Sequence, residues 1–226
     1  MGVECILNIY KPEGISSYDV VRQVKRLADM KKVGHGGTLD PFAEGVLLVL
    51  VGRATKQMPA ILQMRKRYLA HLRLGVATET GDCTADSQEQ AAVPDLKKVD
   101  FEKIKKDFSG RIWQTPPQYS AKKVNGKPAY SYARRGLRVK LEPREITIYD
   151  LDIEVRDEKT LSLTVECSSG TYIRALGEDI AKAIGTVGHL VYLKRLGVGT
   201  YRWEESIRWE SLPDAIRSKV IPEMKK

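Results

Sequence analysis

VGHGGTLDPFAEGVLLVL, residues 33–50, is the stretch from which the fold can be read outward. It opens in a glycine-rich loop, passes one Asp-Pro pair and closes in an unbroken apolar run. Glycines 34, 36 and 37 accept backbone angles that other residues resist, so the loop can turn tightly or approach a ligand closely. Pro41 keeps Asp40 out of the helical region. The run Gly45–Val51 predicts an interior segment, which would present the Asp40 carboxylate from a fixed base.

On the N-terminal side, Cys5–Tyr10 reads as a short strand and KPEG as a turn. Ser16 or Ser17 caps a helix to about Met30, with Val20, Val21, Val24, Leu27 and Ala28 on one face. On the other side, Ala54–Met64 reads as helical with a break at Pro59. Tyr68–Leu74 alternates as a strand, with Tyr68, Ala70, Leu72 and Leu74 on one side. Thr78–Glu102 is acidic and reads as a surface excursion, after which Asp100 caps a helix through Phe108. Trp113–Gly126 reads as an irregular loop and Ala129–Arg135 as a short helix. Arg144–Arg156 and Lys159–Cys167 read as consecutive strands. SSGT then caps a helix, Tyr172–Ile184, that Gly185 ends. Leu190–Leu196 is a short apolar segment and Val198–Trp203 a closing strand. Strands and helices alternate without a regular βαβ rhythm, which predicts an α+β fold. No linker divides the chain, so residues 1–226 read as one domain with a basic insertion around 103–144.

The composition, 42% hydrophobic and 30% charged over 226 residues, is that of a globular protein able to bury a core. The longest apolar run, Val46–Val51, falls far short of the ~20 residues of a membrane span. MGVECILNIYKPEG has no signal-peptide character. Three widely spaced cysteines imply no disulfide framework, so a cytoplasmic address is expected. Between Lys103 and Arg144, twelve Lys and Arg stand against Asp107 and Glu142. That net +10 leaves about −1 for the rest of a chain of net +9. Such a basic stretch, interleaved with Tyr119, Tyr130 and Tyr132, suits RNA phosphates and bases, although a solvated surface would look similar.

The glycine loop is not a nucleotide motif. A dinucleotide fingerprint that begins at Gly34 needs glycine where Leu39 stands, and Gly126-Lys127 is followed by Pro128. His35, His71 and His189 lie far apart and no C-x-x-C or H-E-x-x-H occurs, so no metal site is expected. G-x-S-x-G is absent too. What remains is a candidate RNA binder with one conspicuous Asp, a residue that also serves as an ordinary turn former.

Five stretches resemble the TruB family of pseudouridine synthases, in the family's order: NIYKPEGISSYDVV, GHGGTLDPFAEGVLLVLVGRATK, KRYLAHLRLGVATETGD, QTPPQYSAKKVNGKPAYSYARRG and CSSGTYIRALGEDIAKAIGTVGHLVYLKRLGVGTY. They cover most of Leu7–Tyr201. The resemblance implies a mixed, largely antiparallel sheet flanked by helices. It also implies conversion of a uridine in the T-loop of tRNA, position 55, to pseudouridine, with neither cofactor nor metal. By the same resemblance Asp40 is the nucleophile, Arg174 the arginine that pairs with it, and Tyr68 the active-site tyrosine. His35 enters the T-loop where the base has left the stack, and Tyr172 and Leu193 line the uridine pocket. Lys11 and Pro12 match a motif near the site with a mainly structural role. The basic insertion falls where the family has a segment that closes over RNA.

The implied partner is a T-stem-loop, met by a monomer without an obligate protein partner or a membrane. The family's usual C-terminal RNA-binding domain is expected to be absent. Two alternatives stay open: an RNA-guided synthase subunit, and a non-catalytic tRNA-folding factor.

Overall fold

The computed structural model describes residues 4–220. They fall into two compact units: one holds the residues up to Tyr68 and those from Leu193 on, the other is Leu69–Tyr192.

β1 (Glu4–Lys11) leads into α1 (Ser17–Ala28), whose start is a capping box. The Ser16 hydroxyl accepts from the Asp19 amide at 3.1 Å, and the Asp19 carboxylate accepts from the Ser16 amide at 3.0 Å. α1 buries Val20, Val21, Val24 and Ala28, the face its spacing predicts. After β2 (Val33–His35) comes β3 (Glu44–Gly52), buried from Gly45 to its end. A 3-10 turn, Arg53–Gln57, precedes α2 (Met58–Gln63), with Pro59 in the first turn where a missing N–H costs nothing. β4 (Lys66–Leu74) buries Tyr68, Ala70, Leu72 and Leu74, as alternation requires.

β5 (Val76–Thr78), β6 (Ser87–Gln90), α3 (Phe101–Asp107) and β7 (Gly110–Gln114) follow. Asp100 caps α3 by accepting from the Lys103 amide at 2.9 Å. Next are β8 (Lys123–Val124), β9 (Lys127–Pro128), α4 (Ala129–Ala133), β10 (Arg144–Asp157), β11 (Thr160–Cys167) and α5 (Ile173–Ile184). β12 (Gly188–Val198), β13 (Tyr201–Arg202) and α6 (Leu212–Lys219) complete the chain.

In the first unit the strand order is β1–β3–β12, with β2 also on β3 and β13 on β12. β1 and β3 pair antiparallel over their full length, Glu4 opposite Gly52 and Lys11 opposite Gly45. β12 meets β3 in parallel, Arg195 opposite Gly45. Gly45, at φ +107, is required there because a Cβ would overlap the Arg195 carbonyl. One face of β3 packs Leu47, Val49 and Val51 against Val20 and Val24 of α1 and Leu212 and Ile216 of α6. The other packs Val46, Leu48 and Leu50 against Ile61 and Val198. Burial on both faces is why this strand reads as an unbroken apolar run. In the second unit the order is β12–β4–β11–β10–β7, with β10 antiparallel to both β11 and β7. The α+β expectation and the mixed, largely antiparallel sheet flanked by helices both hold.

Local expectations are corrected in four places. Trp113 and Gln114 belong to β7, and the supposed irregular loop ends in a hairpin, Val124 opposite Lys127 across Asn125-Gly126. Both turn residues have positive φ, 49° and 80°, which is what a tight hairpin asks of Asn-Gly. SSGT does not cap α5: the cap position is Tyr172, and the Thr171 hydroxyl instead donates to the Ser168 carbonyl. Leu190–Leu196 lies within the long strand β12, and the closing strand shrinks to Tyr201–Arg202 because the chain turns at Gly199. Finally, the acidic excursion is not all surface, since Thr78 and Asp82 are buried.

Candidate active site

The loop that carries Asp40 is held by hydrogen bonds along its backbone. The Gly36 amide donates to the Leu48 carbonyl at 2.8 Å. The carbonyls of Gly37 and Thr38 accept from Arg195 at 3.1 and 3.3 Å. Buried Ser17 both accepts from the Leu39 amide at 2.8 Å and donates to the Leu39 carbonyl at 3.0 Å. The Asp40 carbonyl accepts from the Ala43 amide, and the Pro41 carbonyl from the Gly14 amide and from Lys11 Nζ at 3.3 Å. Leu39 and Phe42 are buried on either side, and half-buried Asp40 stands between them. The glycines have a different use from the one their chemistry first suggests. At Gly34 and Gly36 a Cβ would collide with Met58 and Ile61 of α2, so these positions let that helix close on the loop.

Lys11 is fully buried and donates to the carbonyls of Pro12 and Ile15, each at 2.8 Å. Burial pushes its ammonium down to about 8, with the Asp40 carboxylate pulling it back up. His35 ends β2, opposite Val49. Burial first, and the Arg195 charge second, hold its imidazole below the ordinary histidine value, with a backbone hydrogen bond at Gly37 acting the other way. Tyr68 and Leu193 are buried at 8% and 4% exposure, on β4 and β12. Asp40, His35, Tyr68 and Leu193 thus all belong to the first unit.

The second unit holds Tyr172 and Arg174. The backbone of Tyr172 is bracketed by Gln114, whose side chain accepts from its amide at 2.8 Å and donates to its carbonyl at 3.1 Å. Gln114 thereby fixes the backbone of the residue from which α5 starts. The Arg144 guanidinium lies over the Tyr172 ring, 5.1 Å from its centre. Arg174, in the first turn of α5, is 4% exposed. Its Nη1 and Nη2 donate to the carbonyls of Thr80 and Tyr119, and its Nε lies 3.7 Å from the Asp82 carboxylate.

Asp82 is the polar residue that sequence reasoning missed. Its carboxylate accepts from the Thr80 hydroxyl at 2.7 Å and from the Thr84 amide at 3.0 Å, and the Thr78 hydroxyl donates to its carbonyl. A clue was present in TETGDCTADS, where an Asp flanked by threonines at two-residue spacing favours a side-chain-bonded turn. With both charges buried, this turn presents Arg174 in a single orientation.

The basic segment is the remaining feature. Lys122, Lys123 and Lys127 are exposed around the β8–β9 hairpin, Trp113 is 72% exposed, and Arg134 lies over the Tyr130 ring. No helix among the described residues is long and apolar enough to cross a membrane.

Comparison with known proteins gives the chain's relatives. Residues 25–173 match the family model described as "TruB family pseudouridylate synthase (N terminal domain)". A tRNA pseudouridine synthase B of Hydrogenovibrio crunogenus is 43% identical over 210 residues, 93% of this chain and 69% of that one. One of Clostridium kluyveri is 45% identical over 218 residues, 96% of this chain and 75% of that one. Among solved structures, a Cbf5-Nop10-Gar1 complex matches with TM-score 0.71 at 30% identity. The match covers 92% of this chain and 53% of that one, so the chain spans about half the length of that structural relative. On identity and coverage together, the chain belongs to the TruB family of pseudouridylate synthases.

Proposed function

We propose that this protein converts one uridine in the T-loop of tRNA, position 55, to pseudouridine, with Asp40 as nucleophile. The observation that carries the proposal is the braced Asp40 loop: a carboxylate on a backbone hydrogen-bonded from Gly36 to Pro41 is pre-oriented for attack. The reaction cuts the glycosidic C–N bond, turns the uracil and joins its carbon 5 to the sugar. The carbon-5 proton is lost to the medium, the freed N1 takes one up and Asp40 is released unchanged, so the step balances without an external oxidant, reductant or group donor.

The other roles are those that the resemblance implies. Tyr68 stacks on the extruded uracil, and Tyr172, Leu193 and Arg174 serve in substrate binding. His35 fills the gap left in the T-loop stack, a task that a neutral, partly buried imidazole suits. The basic segment binds RNA phosphates. The curated relatives named for tRNA support this substrate. We place the enzyme in the cytoplasm, acting as a monomer without a guide RNA.

The test is an isolated T-stem-loop RNA tritiated at uracil carbon 5. Release of tritium by the purified protein alone is expected. Release only after a guide RNA is added would favour the guided reading, and RNA binding without release the folding-factor reading.

A further inference from the structure

We propose that Arg195 is a positioning residue of the reaction: its guanidinium, reaching from β12, fixes the backbone on both sides of Asp40 so that the carboxylate meets the uridine in one orientation. The proposal rests on the reading of Asp40 as nucleophile.

Arg195 is 1% exposed and among the largest fully buried side chains of the described residues. All three of its nitrogens are spent on main-chain oxygens. Nε donates to the Val46 carbonyl at 2.7 Å, Nη1 to Thr38 at 3.3 Å and Nη2 to Gly37 at 3.1 Å. None of these bonds goes to a carboxylate. A buried charge held only by backbone dipoles is an expensive way to fill space, and an apolar side chain of similar volume would serve packing at least as well.

What the guanidinium does that an apolar chain could not is join three carbonyls. Gly37 and Thr38 lie before Asp40, and Val46 lies after it in β3. One planar, rigid fork therefore ties both limbs of the turn that presents the carboxylate. Its own base is fixed, because Arg195 stands opposite Gly45 in the parallel pairing of β12 with β3. Ser17 and Lys11 hold the tip of the same turn, at Leu39 and Pro41. Release of the two limbs leaves the tip anchored but free to tilt, and a shift of roughly 1 Å at a reacting group costs about 10²-fold in rate.

The test compares single-turnover rates on a T-stem-loop RNA with RNA affinity and thermal unfolding. Arg195→Lys keeps the charge and loses the fork. It is expected to fold, to bind RNA within about threefold of wild type, and to react roughly 10- to 100-fold more slowly. Methylguanidinium added to Arg195→Ala is expected to restore part of the rate, and none to Asp40→Asn. Where Arg195→Ala does not fold, the lysine variant decides. A wild-type rate in Arg195→Lys overturns the proposal. So does a folded Arg195→Ala that methylguanidinium fails to rescue, a rate loss matched by an equal loss of RNA binding, or a lysine variant that does not fold. If Asp40→Asn itself keeps wild-type activity, the nucleophile reading fails instead, and that result is distinct from any outcome at Arg195.

Discussion

Arg174 and Asp82 are a buried pair, 3.7 Å apart, in which each charge offsets part of the cost of burying the other. Removal of one partner from a buried pair typically costs about 3–5 kcal/mol. Asp82→Ala should therefore lower unfolding free energy by roughly 3 kcal/mol in urea titration. A loss under about 1 kcal/mol would show that the pair behaves like a surface one.

His35 gives a pH test. Its folded pKa lies below the ordinary value, so the unfolded chain takes up a proton first as the medium is acidified. Stability from the neutral imidazole is full above about 6.5 and is lost as pH falls through the folded value. His35→Gln should lose less stability than wild type between pH 7.5 and pH 5, and equal losses would contradict the assignment. At this scale the residues alone marked Asp40 as conspicuous but compatible with an ordinary turn, and its role as nucleophile came from the resemblance. They did not mark Asp82, since an acid among small polar residues looks solvated until the arginine that buries it is known.

Among elements, legibility followed how local the determinants were. Alternation in β4, the serine cap of α1 and the Asp100 cap of α3 are written within a few residues, and the structure keeps all three, with Ser16 as the cap. The start of α5 was misread because the group that satisfies Tyr172 is Gln114, 58 residues away. The β8–β9 hairpin was written locally, in Asn125-Gly126, but two prolines just upstream drew attention to irregularity instead. That hairpin now gives the basic segment a definite shape with Lys122, Lys123 and Lys127 exposed. Replacing Lys122 and Lys123 with Gln should weaken T-stem-loop binding. It should also reduce the slope of log affinity against log salt by about 0.7–0.9 for each phosphate that is no longer neutralised. An unchanged slope would return these lysines to a solvated surface.

For the molecule as a whole, the lack of a βαβ rhythm was enough to predict α+β, and the resemblance supplied the sheet type. The parallel seam between β12 and β3 was out of reach, because strands so distant in sequence meet over only two residue pairs. The two compact units were equally hidden. Their limits fall inside β4 and β12, where no linker composition marks them. The site shows the same split: the loop that holds Asp40 is a local motif, whereas its braces Lys11, Ser17 and Arg195 come from three other elements.

The role proposed for this loop is to present one reactive carboxylate. Its most direct measurement is single-turnover release of carbon-5 tritium from a T-stem-loop RNA, by wild type and Asp40→Asn at equal RNA occupancy. Release by wild type, and none above background by Asp40→Asn with RNA affinity retained, is expected. Release by Asp40→Asn at a rate near wild type would contradict that role.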